Sequence, residues 1–184
     1  MSYLDFDYSL DFGAIDFRKQ PQLYRMGRGE QGVLLVQPYK SEILPYWRFR
    51  NPSIAKKSSQ EVYDLFLKYV HAKDFVGADM ARKFLQMGWT RSRRYANHKS
   101  GRKYSDENKK NAPEIPIGNR YKTEKNNMHS VKRKIKKVLP IDHDPEKAKS
   151  AAIFYKMYKK AKSNHLYQEM LDIHKKKYPT SKSK

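Results

Sequence analysis

Cysteine is absent from the chain. That excludes a disulfide framework and thiolate chemistry, and it fits a reducing compartment. Long hydrophobic runs are missing too. A clean one such as Val33 to Val36 falls far short of the ~18 apolar residues that a membrane span needs. The first residues carry acids rather than a basic region followed by an apolar one, so no secretory signal is expected. These absences point to an intracellular, cytoplasmic protein. Acidic residues are the third scarcity: 19 stand against 40 Lys and Arg, a formal net charge of +21 over 184 residues. An excess of that size repels itself in a folded chain, so a partner that neutralises it is expected. The candidates are nucleic acid, DNA or RNA, and an acidic protein; no membrane partner is expected. The length suits one domain with an appended helical piece.

The cations are unevenly spread. Residues 91–139 hold sixteen bases and four acids, whereas residues 1–30 hold four bases and five acids. The transition falls within Met80 to Tyr104, the stretch that organises the rest. Phe75, Ala78, Ala81, Leu85 and Trp89 mark one apolar stripe of a helix, and Met80, Phe84 and Met87 widen it, as for a central helix packed on two sides. After Trp89 come Arg91, Arg93, Arg94, His98, Lys99, Arg102 and Lys103, interleaved with Tyr95, Asn97 and Tyr104. If the helix continues, Arg91, Arg94 and His98 share one face, and Arg93 and Asn97 another. Arginine makes bidentate phosphate contacts and stacks on base planes, and tyrosine stacks on exposed bases. This block is the leading candidate for nucleic-acid contact; a solvated or protein-binding face is the alternative.

The N-terminal stretch alternates aromatics (Tyr3, Phe6, Tyr8, Phe12, Phe17) with aspartates. It reads as an irregular arm packed on the body, as an acidic mimic of nucleic acid that fills the basic groove when empty, or as a docking peptide. Tyr24 to Gly32 holds three glycines in six residues. It reads as a structural turn, or as a phosphate-contacting loop with Arg25 and Arg28; the order of residues is neither a Walker loop nor a Rossmann turn. Val33 to Gln37 reads as a buried strand. Tyr46 to Arg50 alternates, with Trp47 and Phe49 on one face and Tyr46, Arg48 and Arg50 on the other, where Tyr46 could stack on a base. The two are expected to pair antiparallel, leaving Arg48 and Arg50 on an outer face that is solvated or touches phosphates.

Asn51-Pro52 predicts a helix start, with Ser58 and Glu61 as a later alternative. Ile54, Ser58, Val62, Leu65, Phe66 and Tyr69 form its core face. Asp74 is expected to cap the next helix, Asp144-Pro145 a further one with Ala148, Ala151, Tyr155 and Tyr158 inward, and Asn164 the last. The expected fold class is therefore α+β: a short antiparallel sheet covered by helices, a basic linker, and a C-terminal helical hairpin. Residues 1–104 form the core with its acidic-aromatic arm, 105–143 a flexible basic linker, and 144–184 the hairpin and tail packing on the core. The basic run Lys132 to Lys137 could also act as a nuclear signal in an animal or plant protein.

Signatures of chemistry are sparse. No two of the six histidines stand four residues apart. Asp142-His143-Asp144 could hold a metal on paper, but Asp144 is better used as a cap. His98 could move a proton at a phosphodiester with Glu30 or Glu42 as partner, yet the clustered carboxylates of metal-dependent nucleases are missing. No catalytic residue, metal or cofactor is assigned. The expected function is non-enzymatic nucleic-acid binding through the Arg- and Lys-rich surface. The alternative is a protein-interaction or virion-associated structural role with an acidic host or phage partner.

Four motifs together carry a resemblance: Tyr24 to Leu34 with its GlyArgGlyGluGlnGly core, Pro38 to Pro45, Trp47 to Phe49, and Met80 to Tyr104. The chain resembles a domain family of unknown function whose members occur in tailed phages of cyanobacteria and in scattered bacteria and eukaryotes. The likeness runs from Phe12 to Tyr104 and is weaker in the C-terminal helices. It implies a phage or prokaryotic origin and action in the host cytoplasm, and no activity or catalytic residue.

Overall fold

The computed structural model describes residues 6–98, 101–103, 139 and 141–178. Among them the chain is helical, 64% in helix, with no strand and no sheet. The α+β expectation is therefore corrected. Five α-helices follow in order: α1 (Tyr39–Ile43), α2 (Pro52–His71), α3 (Phe75–Asn97), α4 (Pro145–Lys162) and α5 (His165–Lys177), with short 3-10 turns at Pro21–Leu23 and Leu44–Tyr46.

Both expected strands fail for identifiable reasons. Val33 and Val36 are the buried members of their run. They stand three apart, and the backbone is wound into turns, with Leu35 N–H donating to Gly32 O at 2.9 Å and Val36 N–H to the same carbonyl at 3.2 Å. A run of four apolar residues fits such a turn as well as a strand. Trp47 and Phe49 do point inward, with Arg48 and Arg50 outward. Their backbone is served by a side chain of α2 rather than by a second strand. Arg48 N–H donates to Ser58 Oγ at 2.8 Å, and Ser58 Oγ–H donates to Tyr46 O at 2.7 Å. One serine thus replaces a ladder, and it is buried inside the helix rather than capping it.

The helix starts follow local chemistry. Asn51 accepts from Ile54 N–H at 2.9 Å, Asp74 from Gly77 at 3.0 Å, Asp144 from Lys147 at 3.0 Å and Asn164 from Tyr167 at 3.0 Å. Each cap satisfies a backbone donor that the helix itself leaves open. The three-residue link Ala72–Asp74 folds α3 back along α2. α4 then runs antiparallel to α3: Asp144 N–H donates to Ala96 O at 2.9 Å, and further along α4 Phe154 lies over Gly88, where an added Cβ would stand 2.3 Å from the ring. α2, α3 and α4 make a three-helix layer with Phe66, Phe84 and Phe154 fully buried, each contributing roughly 1.5–3 kcal/mol over exposure. On α4 the inward residues are Ser150, Ala151, Phe154 and Ala161, while Tyr155 is 40% exposed, so the expected face is rotated.

α5 turns onto the first half of α3, where the Tyr167 ring stacks on Phe75 at 5.9 Å and His174 lies 4.5 Å from it. The N-terminal strip packs there as well. Its rings pass from Phe6 to Phe12 (5.4 Å), to Phe17 (5.7 Å) and to Tyr24 (6.4 Å). Asp11 and Asp16 hold local turns through Gly13 N–H and Arg18 N–H. The glycines of the next loop make room for this strip. Gly32, at φ +81°, would place a Cβ 2.3 Å from the Phe6 ring, which favours the structural-turn reading of the loop. The linker expected over 105–143 lies outside the described residues except at 139 and 141–143.

Candidate nucleic-acid interface

Between the extended segment 47–50, the last turns of α3 and the first turn of α4 lies an open cleft of about 490 Å³. Leu44, Trp47, Phe49 and Tyr95 give it an apolar floor, and Arg48, Arg50 and Lys147 a basic rim. The floor is a run of touching rings: Phe84 to Trp47 (6.1 Å), Trp47 to Phe49 (4.9 Å), Phe49 to Tyr95 (5.9 Å). Trp47 is fixed because its indole N–H donates to Phe84 O at 3.0 Å. Tyr95 is the most open ring of the floor, 39% exposed, and packs against Gly101, whose missing Cβ would stand 2.9–3.1 Å from three of its ring atoms.

The rim is partly pre-set. Arg48 is anchored through Nη1 to the carbonyls of Leu44 (3.0 Å) and Trp47 (2.8 Å). Lys147 Nζ donates to Arg50 O and so ties α4 to the segment. Arg50 is exposed, and among the described residues no carboxylate pairs with it, nor with Arg91 or Arg94. Arg91 stands four residues before Tyr95 and shares its side of α3. Unpaired guanidinium groups beside aromatic faces are suited to phosphates and base planes.

The expected block is split by the helix. Arg93 leaves the cleft side and lies over Trp89, 5.3 Å from its ring centroid. There it joins Tyr155 and Tyr158, which pack on Trp89 at 4.6 and 5.9 Å. His98 is buried at 7% exposure. Asn97 gives its carbonyl to Asp142 N–H at 3.0 Å. Arg102 and Lys103 are exposed, and Lys103 O receives Leu139 N–H at 2.9 Å. Lys99 and Tyr104 lie outside the described residues. Arg25 and Arg28 are exposed on the glycine-rich loop. That loop reaches α3 through Glu30, which accepts from Thr90 Oγ–H, on a different side of the helix from Tyr95.

The family described as a domain of unknown function, DUF4385, matches residues 7–177. The chain belongs to the DUF4385 family. Neither the curated proteins nor the solved structures contain a significant match to it.

Two further polar centres of this DUF4385 domain escaped the sequence reading. The first is buried in α3. The Asp79 carboxylate, fully enclosed, accepts from Arg82 (Nη2 2.7 Å, Nε 2.8 Å), from the Tyr167 hydroxyl at 2.7 Å and from the Tyr24 hydroxyl, with Lys83 Nζ 3.7 Å away. Lys83 also donates to Gln31 O at 2.8 Å. Burial alone would raise the Asp79 carboxyl; the Arg82 and Lys83 charges and the two phenol donors outweigh it and hold the acid well below the usual carboxylate range. Burial pushes the Lys83 ammonium down to about 8 against the pull of Asp79. The network joins α3, α5 and the N-terminal loop. The spacing Asp79, Arg82, Lys83 is the helical ion-pair spacing, and its place in a stretch apolar on every side was the available signal.

The second centre opens to solvent at the start of α3. Arg18 bridges Glu42 (2.8 Å) and Asp74 (3.5 Å), while Tyr69 donates to Glu42 at 2.6 Å and Tyr39 to Asp74 at 2.8 Å. The hydrogen bond from Arg18 lowers the Glu42 carboxyl below its ordinary value. With Glu42 engaged here and Glu30 at Thr90, the two proposed acid–base partners of His98 have other work. No group of three or more metal-ligating side chains occurs among the described residues of the DUF4385 domain, and none of its helices there is long and apolar enough to cross a membrane. Lys147, Trp47 and Phe49 line the cleft and were not among the expected site residues. A lysine in a first helical turn opposes the helix dipole, which was the one local hint that Lys147 serves something else.

Proposed function

We propose that this domain binds nucleic acid without chemistry, through phosphate contacts at the cleft and along the basic end of α3. The observation that carries this reading is the cleft itself, a run of aromatic rings floored between helices and rimmed by Arg48, Arg50 and Lys147, with Arg91 and Arg94 alongside. A net charge of +21 supplies the long-range attraction, and such attraction is the sequence-independent term in nucleic-acid affinity. Aromatic faces in the basic cleft add a second kind of contact that a merely solvated face does not need. Action in a host cytoplasm as a phage-encoded factor belongs to the same reading, and it rests on the resemblance of the motifs.

The test compares two charge-matched variants by fluorescence anisotropy with labelled oligonucleotides at fixed salt. Arg48→Ala with Arg50→Ala removes two rim cations. Lys175→Ala with Lys176→Ala removes two exposed cations at the end of α5. The first should weaken binding at least tenfold more than the second. Equal losses would place the contact elsewhere, and a parent protein that binds no oligonucleotide, yet retains an acidic protein from nuclease-treated lysate, would favour the protein-interaction alternative.

A further inference from the structure

Resting on the nucleic-acid reading, we infer that the cleft takes an unpaired base, so that the ligand class is single-stranded nucleic acid rather than duplex. The floor decides this. Phosphates alone need only cations, and a duplex offers its phosphates to any basic surface. Here the cations stand around rings instead. Tyr95 is open to solvent, Phe49 touches it at 5.9 Å, and Trp47 backs Phe49 at 4.9 Å. A face of a base meets such rings only when the base is out of its stack, because paired bases inside a duplex present their edges to the grooves and their faces to one another. The open cleft, about 490 Å³, lies within the roughly 300–1,000 Å³ of ligand-sized sites.

The supports of the floor are fixed in advance. The Trp47 indole is tied to Phe84 O, the segment 46–48 is tied to Ser58, and Tyr95 is backed by Gly101. A base would therefore enter between ordered walls, with little ordering left to do on the protein side. Charge complementarity selects a nucleotide over a neutral aromatic ligand: Arg48, Arg50 and Lys147 stand where the phosphates flanking an inserted base would run, and Arg91 continues that line one helical turn before Tyr95. The rings and cations that line the cleft are contacts that every nucleotide can make, so the expected preference is for strandedness rather than for sequence.

The experiment measures affinity of the full chain for a labelled 12-nucleotide oligothymidine and for a blunt duplex with the same number of phosphates, in the same buffer. The parent, Tyr95→Phe and Tyr95→Ala are compared; Tyr95 is exposed, and circular dichroism checks that each variant is folded. One stacked base is worth ~1–3 kcal/mol, about 5- to 150-fold in affinity. The expected result is tighter binding of the single strand, kept by Tyr95→Phe, lost by that factor in Tyr95→Ala, and duplex affinity unchanged across all three. Equal affinity for the two ligands, or a single-strand preference that ignores Tyr95→Ala, overturns the inference and leaves nucleic-acid binding standing. Failure to bind either ligand overturns both.

Discussion

Asp79 carries more of this molecule than any residue of the basic surface. Among the described residues its carboxylate is the one negative charge paired with Arg82 and Lys83 in their buried setting. Replacing it by alanine leaves two buried cations uncompensated and two phenols, Tyr24 and Tyr167, without their acceptor. Breaking a buried pair in this way costs about 3–5 kcal/mol, and a urea titration of Asp79→Ala should show that drop against the parent. His174 adds a pH dependence at the same junction. Burial lowers its pKa, although the Tyr24 carbonyl and Asp79 favour the charged form. A depressed pKa means that the fold prefers the neutral ring. The contribution is thus fully present above the unfolded value of ~6.5 and is lost as the pH falls from there through the lower folded value. Thermal melts from pH 7.5 to 5 should fall for the parent and stay flatter for His174→Phe. None of this was legible from single residues. The sequence places Asp79 in a helix, but only the packing of α5 and of the N-terminal loop closes the water out. Lys147 is similar: its cap neighbours were readable, and its place on the cleft rim is a result of α4 lying antiparallel on α3.

At the scale of elements, local chemistry was readable and pairing was not. The four caps at Asn51, Asp74, Asp144 and Asn164 depend on contacts three residues long, so the sequence contains them whole. The strands near Val33 and Trp47 failed because a strand needs a partner that no short run can specify. The buried valines stood three apart, and Ser58 supplied the missing hydrogen bonds. Asn51→Ala removes the acceptor for Ile54 N–H and should cost ~1 kcal/mol, within the roughly 0.5–2 kcal/mol measured for such caps, read from the denaturant midpoint. Gly88→Ala tests the α3–α4 contact. Helix propensity alone would favour alanine by about 1 kcal/mol. The new methyl would stand 2.3–2.6 Å from the Phe154 ring, and overpacking of that kind costs about 1–3 kcal/mol. Gly88→Ala should therefore lower the melting temperature, and adding Phe154→Leu should recover part of the loss, a coupling that independent sites would not show.

For the whole molecule, salt acts with two opposite signs, and the difference separates the fold from the site. A net charge of +21 destabilises the compact chain by self-repulsion,. Screening shortens the reach of that repulsion to ~10 Å at 0.1 M salt, so the melting temperature of the free protein should rise between 10 and 150 mM salt. Binding should move the other way, because each phosphate neutralised releases counterions. For a single strand, log K falls against log salt by about 0.7 for each such contact. If Arg48 and Arg50 both meet phosphates, Arg48→Ala with Arg50→Ala should flatten that slope by about 1.4. Lys175→Ala with Lys176→Ala, which changes the net charge equally, should leave the slope near its parent value. A slope that shifts alike in both variants would mean that affinity follows total charge, and the cleft would then have no special part in holding the strand.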